Sequence, residues 1–421
     1  MSDPQRVNVY TIPSHRSFAD ALAAGIVRRF GKEPLGLARG RILLPNNRAV
    51  RAVTDAFVRA SGEGLLLPRL IPIGDPEIDD RIGGAFEVLD SAPVRPAIDP
   101  TERLLTLASL VPGYGSAEGL RLAGDLARTL DALLIEQVEP SRLAEAVAAT
   151  SELAKHWEKS LAKLELIYAT WPNLVAARGM IDLAERRNRL LHGLADRWKA
   201  DPPPGFTVAA GITTAAPAVA AVVGRVARMR DGMVVLPGLW LADIFPQEEW
   251  EALGPDENGR AESTHPQFHL KLLLDRIGVN RDEVQRWRWS GRAASPPARS
   301  RAVANAMSAS DFSHKWESLR ASDRRLSGIR LAELPDTAAE AQAIALALRE
   351  AVETPGKTAA LVTPDRQLAG RVSALLRRWG IEADDTAGKP LSQLAAGTLL
   401  LGLVSAAVEE LAPVPLLALL K

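Results

Sequence analysis

The chain has no cysteine in its 421 residues. Disulfides, thiol nucleophiles, thiolate zinc sites and cysteine-held iron–sulfur clusters are thereby excluded from these residues, and the expected compartment is the reducing cytoplasm. Net charge is also lacking, since Lys+Arg and Asp+Glu both number 51. No global field draws the chain to nucleic acid or to a membrane surface, so any such surface has to be local. The N-terminus lacks the charged-then-apolar pattern of a signal peptide. No apolar run reaches the roughly 20 residues of a transmembrane helix. The longest candidate, Leu394 to Val408, is broken by Gly397 and Gly402 and reads as a buried helix. No membrane partner is expected. Only 10 of the 51 basic residues are Lys. Arg is the better bidentate phosphate ligand, but a GC-rich genome explains the same bias.

What is present begins with a strand, a tight loop and a helix. Val7, Val9 and Tyr10-Thr11-Ile12 form a short β-branched run, Pro13 to Ser17 a loop, and Phe18 to Val27 an Ala-rich helix with Phe18, Leu22 and Ile26 on one face. This is the setting of a phosphate-binding loop, whose pattern G-x-x-x-x-G-K-[ST] falls on Tyr10 to Ser17. Arg16 stands at the Lys position and Ser17 at the hydroxyl position, while Tyr10 and His15 replace both glycines. Backbone amides that curl around phosphates need conformations bulky residues resist, so His15, Arg16 and Ser17 make a degenerate nucleotide loop. A Mg²⁺ site would need acids at the end of a later strand. After Val208 to Ala210 come Gly211, Ile212, Thr213 and Thr214, and after Val235-Leu236 come Pro237 and Gly238, with no carboxylate.

Further strands are predicted at Arg41 to Pro45, at Leu65 to Leu67 with Leu70 to Ile73, at Phe206 to Ala210 and at Met233 to Leu236, alternating with helices at Ala49 to Ala60 and Ala218 to Met229. Alternation of this kind means a parallel sheet with crossover helices. Between Asp99 and Trp198 apolar residues recur at three-and-four spacing over Glu118–Leu134, Pro140–Ala149, Glu152–Leu174 and Asp182–Lys199, which predicts an all-helical insertion ended by Pro202-Pro203-Pro204. Pro266 to Ile277 reads as a helix and Arg292 to Arg301 as a linker. From Arg330 on, strands at Ile329–Leu334, Thr358–Thr363 and Gly380–Ala383 alternate with helices at Thr337–Glu353, Asp365–Trp379 and Leu394–Leu411, as in a second parallel domain. The chain ends in apolar helical sequence, and a longer natural protein is expected.

Asn46, Asn47, Arg48 and, one turn on, Arg51 follow a strand's carboxyl end and open a helix, where ligands of parallel sheets collect and phosphates are held. Their alternative role is capping and solvation. Arg286-Trp287-Arg288-Trp289 alternates base and aromatic, as single-strand stacking surfaces do and as a strand with inward tryptophans also does. His265 and His269 are four apart without a third metal ligand. Gly356-Lys357-Thr358 follows a helix and precedes a strand, the reverse of a phosphate loop.

In order, the degenerate loop, Leu44-Pro45-Asn46-Asn47-Arg48-Ala49-Val50-Arg51, the helical insertion, Gly205-Phe206-Thr207 to Pro217, Val235 to Leu239 and His265-Pro266-Gln267-Phe268 resemble the N-terminal part of the alphaproteobacterial AddB family. These proteins are subunits of the AddAB helicase-nuclease of double-strand break repair. The resemblance implies a superfamily 1 helicase-like α/β architecture: a RecA-like domain (1–98 and 201–328), a helical insertion (99–200), and part of a second RecA-like domain (329–421). It implies single-stranded and duplex-end DNA and an AddA-like subunit as partners, with Asn46, Asn47, Arg48, Arg51, Thr213 and Thr214 on the DNA. No cofactor is implied within these residues. The iron–sulfur cluster and Mg²⁺ of the family belong to a C-terminal nuclease domain outside them. The resembled subunit no longer hydrolyses ATP. An active ATPase with Arg16 in place of Lys, and a pure interaction scaffold, are the alternatives.

Overall fold

The computed structural model describes residues 7–33, 35–61, 64–73, 94–113, 115–139, 141–142, 164, 167–257, 259–288 and 294–420. The chain divides into two compact units, Met1–Gly328 and Ile329–Lys421.

Unit 1 is α/β, built on one parallel sheet. Its strands are β1 (Val9–Ile12), β2 (Arg41–Leu44), β3 (Arg69–Pro72), β4 (Thr207–Ala210), β5 (Gly232–Pro237) and β6 (Gln285–Arg286), in the order β3-β2-β4-β5-β1-β6. Val9 pairs with Val234, Ile42 with Val208 and Ala209 with Val234, all parallel. The first fifty residues and residues 206–239 therefore share one sheet. The third strand is shorter than predicted: residues 65–67 lie outside it.

Alternate strand residues point to opposite faces, and both faces are covered. Ile12, Ile42, Leu44, Val208, Ala210 and Val235 pack with α1 (Phe18–Phe30) and α2 (Asn47–Ser61). Val9, Leu43, Ala209, Val234 and Leu236 pack on the other side. That side is covered by helices from later in the chain.

Before those come α3 (Pro100–Ala108), capped by Asp99 through the Thr101 and Glu102 amides, and α4 (Ala117–Glu136). With the helical residues 167–176 they form a core of their own around Ile98, Leu107, Leu130 and Trp171. The expected helix at Pro140–Ala149 and the first part of the one at Glu152–Leu174 fall mostly outside the described residues. Next is α5 (Leu183–Ala200), whose Leu191, Leu194, Ala195 and Trp198 join the sheet's core. It shares that face with α6 (Pro217–Ala227) and, after the short α7 (Gln247–Glu251), with α8 (Phe268–Ile277).

The expected linker at Arg292–Arg301 is corrected by α9 (Pro297–Ala306), which buries Ser300, Ala302 and Ala304. Pro in the first turn starts a helix as readily as it ends one, because the missing N–H there has no partner to lose.

Unit 2 holds α10 (Thr337–Val352), α11 (Arg366–Arg377), α12 (Ala395–Val408) and α13 (Pro413–Leu420). Asp336 and Asp365 cap the first two with paired amide bonds. Ala341, Ala345, Leu368, Val372 and Leu376 form the small core between them. The strands expected at Ile329–Leu334, Thr358–Thr363 and Gly380–Ala383 are absent among the described residues. A parallel strand exists only through hydrogen bonds to a neighbour, and none of the three is paired here. Nor is α12 the buried helix its composition predicts, because Leu399, Leu400 and Leu401 are exposed.

Candidate nucleic-acid interface

A parallel sheet carries its variable loops on the edge where the strands end. Here the loops after β1, β2, β4 and β5 line that edge, and they touch. A Cβ built on Gly211 would meet the Phe18 ring at 3.3 Å and Pro45 Cδ at 3.8 Å. Gly211 also has φ +70, so the turn after β4 depends on glycine for its conformation. The Ser14 Cβ lies 3.6 Å from the Cβ position of Gly238, whose amide donates to the Ile12 carbonyl at 2.8 Å. All the sequence-predicted positions, His15, Arg16, Ser17, Asn46, Asn47, Arg48, Arg51, Thr213 and Thr214, thus gather on one edge.

Their hydrogen bonds sort them. Asn46 Oδ1 accepts the Ala49 amide at 2.9 Å and so caps the start of α2. Asn47, Arg48 and Arg51 follow on that helix and are exposed. Thr214 Oγ1 accepts the Ala216 amide at 3.3 Å at the entry to α6, while Thr213 is exposed beside it. Arginines at a helix start, with threonines on the adjoining loop, offer donors suited to a phosphodiester backbone.

The loop after β1 has a different fate. Its Arg16 amide donates to the Pro13 carbonyl at 3.0 Å, closing a turn where a phosphate cradle would be open. The His15 carbonyl accepts the amides of Ala294 (2.8 Å) and Ser295 (3.2 Å), and the Ser14 and Ser300 hydroxyls meet at 3.2 Å. Ser17 donates to Asp20 at 2.6 Å, and Arg59 pairs with the same carboxylate at 2.6 Å. Burial alone would raise the Asp20 pKa, but the Ser17 hydroxyl and the Arg59 guanidinium outweigh it and hold the carboxyl below its ordinary value. The His15 ring is pushed below its ordinary value by burial, then by Arg16 and Arg286, so it is neutral in the folded state near pH 7.

Trp287 anchors the same region. Its ring fills the space beside Gly25, where a Cβ would come within 2.4 Å of it. Its indole N–H donates to the Ala21 carbonyl at 2.8 Å, and Tyr10 meets it edge-on at 5.5 Å. Trp287 is therefore core and not a stacking platform; Trp289 falls outside the described residues, and Arg286 pairs with Asp243. Of the two readings of Arg286 to Trp289, the inward-packed tryptophan holds at Trp287; its seat beside Gly25 was not foreseen, although a glycine inside an amphipathic helix was the available signal.

His265 stacks on Phe245 at 5.2 Å, and its Nδ1 accepts the Gln267 amide at 3.1 Å. Gln267 in turn accepts the Trp240 amide at 2.9 Å and donates to the Gly238 carbonyl at 3.2 Å. The His-Pro-Gln segment thereby braces the loop after β5 from behind, a role its spacing did not reveal. Among the described residues no group of three or more His, Asp or Glu side chains could hold a metal, and no helix is long and apolar enough to cross a membrane.

The chain matches no protein-family model and no curated protein.

Proposed function

We propose that this chain is the helicase-like, ATP-silent part of an AddB-type subunit in a heterodimeric helicase-nuclease for double-strand break repair. In this reading residues 1–98 and 201–328 are a RecA-like domain, residues 99–200 its helical insertion, and residues 329–421 the start of a second RecA-like domain. The edge carrying Asn47, Arg48, Arg51 and Thr213 guides single-stranded DNA. An AddA-like subunit supplies the motor, and the location is cytoplasmic.

One observation carries the reading. The loops after β1, β2, β4 and β5 share one edge of a single parallel sheet, yet the first of them is bonded to Ala294 and Ser295 of the same chain. Exposed side chains stand on the second and third loops, while in the first the Arg16 amide is taken up by the Pro13 carbonyl. A parallel-sheet framework whose first loop is bonded back to its own chain suits passive DNA handling better than hydrolysis.

Anisotropy titrations of the chain with a labelled oligonucleotide and with a fray-ended duplex test this. Binding should weaken with salt along a log–log line. Arg48→Glu combined with Arg51→Glu should make that slope shallower by about 1.4, at about 0.7 per single-strand phosphate contact. A salt-independent response, or none to either DNA, overturns the proposal. Calorimetry with ATP separates the alternative: micromolar affinity lost in Arg16→Ala would favour the active-ATPase reading.

A further inference from the structure

The helical region holds a feature that the nucleic-acid reading does not use. Between α4, residues 167–176 and α5 lies a cavity of about 430 Å³, within the size range of small-ligand sites. Asn188 lines it and is only 7% exposed. Its Nδ2 donates to the Leu134 carbonyl at 2.7 Å, which fixes the amide, and its Oδ1 is buried with no hydrogen-bond partner among the described residues. A buried acceptor without a donor is costly, and its persistence points to a ligand that brings one.

The charges lining the cavity favour one sign. Asp182 is satisfied by Arg103 (2.9 Å) and by the Trp171 indole N–H (2.8 Å), and Glu185 pairs with Arg189. Glu139, at the rim, has no ion-pair partner among the described residues. The Tyr168 hydroxyl makes no hydrogen bond there either. Its pKa is pushed up by burial and then by Glu139 and Glu185, as in a site of negative potential. Trp171 and Tyr168 add aromatic surface of the kind that attracts cations.

The rim is also built. Gln137 caps α4 in the left-handed region at φ 55, a conformation a residue with a Cβ rarely holds. Its amide nitrogen meets His192 Nε2 at 2.8 Å across the opening.

We propose that this cavity binds a small organic cation, a guanidinium or primary ammonium group whose N–H donors reach Asn188 Oδ1 and the Glu139 carboxylate. The inference is independent of DNA handling. Its test is calorimetric titration of the full chain with n-butylguanidinium and with the uncharged isostere n-butylurea. The cation should saturate one site and bind at least tenfold tighter than the urea. Glu139→Gln at the exposed rim should weaken it several-fold without affecting folding. Asn188→Ala should weaken it about tenfold, with thermal unfolding run alongside because Nδ2 also caps α4. Glu118→Gln, at the far end of α4, is the control and should change nothing. Equal affinity for the two probes, binding untouched by both cavity variants, or no saturation by the cation overturns the proposal. A capped Gly-Arg-Gly peptide added as a third probe assigns the source: tighter binding than butylguanidinium means an arginine side chain of a partner protein, weaker binding a free small molecule.

Discussion

Two segments of similar local character end in opposite environments. Thr207-Val208-Ala209-Ala210 follows a proline-rich break and becomes a central strand in unit 1, with Val208 at 0% exposure. Thr358 to Thr363 in unit 2 likewise lies between the end of one helix and the start of the next, yet it forms no strand and Val362 is 94% exposed. β-Propensity does not separate them. Partners do: β4 has β2 on one side and β5 on the other, and the unit 2 segment has neither. A parallel strand is a statement about its neighbours, so a local reading of sequence cannot certify one.

The sharpest test exchanges the same substitution between the two sites. Val208→Asp should destabilise unit 1 by more than about 4 kcal/mol, since it buries an unpaired carboxylate. Val362→Asp should change unit 2 by no more than about 0.5 kcal/mol. Hydrogen exchange followed separately in each unit reads both, and equal effects would break the comparison.

Next in size is Trp287→Ala. Loss of a buried tryptophan costs about 3–5 kcal/mol. Here it should also release amide protection at Ala294 and Ser295, whose bonds to His15 close the first loop. Trp379→Ala in unit 2, where Arg349 lies over the ring at 5.1 Å, should cost less. Denaturant unfolding of the two variants decides the order.

Smaller again is Asp336→Ala. The Asp336 carboxylate accepts the Ala338 and Ala339 amides at 2.9 and 2.8 Å, and losing such a cap costs about 1 kcal/mol. That should show as faster exchange in the first turn of α10, with unit 1 unchanged.

The smallest expected effect depends on pH. Burial pushes the His265 pKa below its ordinary 6.5, against the opposing pull of the Met307 carbonyl, Glu249 and Glu262. The unfolded chain then binds the proton more readily. The stabilising contribution of the neutral ring is complete above pH 6.5 and is lost as pH falls through the folded value. Unit 1 should therefore be less stable at about pH 5.5 than at about pH 7.5, and His265→Asn, which keeps an acceptor for the Gln267 amide, should shrink that difference. Thermal melts at the two pH values measure it.

Legibility followed the range of the interactions. The strands of unit 1 could be read because residues covered on both faces give unbroken apolar runs, as at Ile42 to Leu44. Capping by Asp336 was equally visible, because its partners lie within three residues. The edge position of Asn46 to Arg51 followed from strand-then-helix order alone. Closure of the first loop did not, since the Ser14–Ser300 contact spans 286 positions. Helix α9 was hidden by composition: Pro296 and Pro297 mimic a linker until Ser300, Ala302 and Ala304 are seen to be buried. The buried Asn188 was invisible for the same reason, as its partner Leu134 is 54 positions away.

The sheet's two outermost strands have one more consequence. β6 offers only two residues to its neighbour, and β3 ends in Pro72, preceded by Pro68 and the charged Arg69. Proline withholds an amide from any ladder, and a two-residue strand is too brief to template one. The sheet therefore resists annexing a strand from another molecule, and crowding should not recruit it into edge-to-edge aggregates.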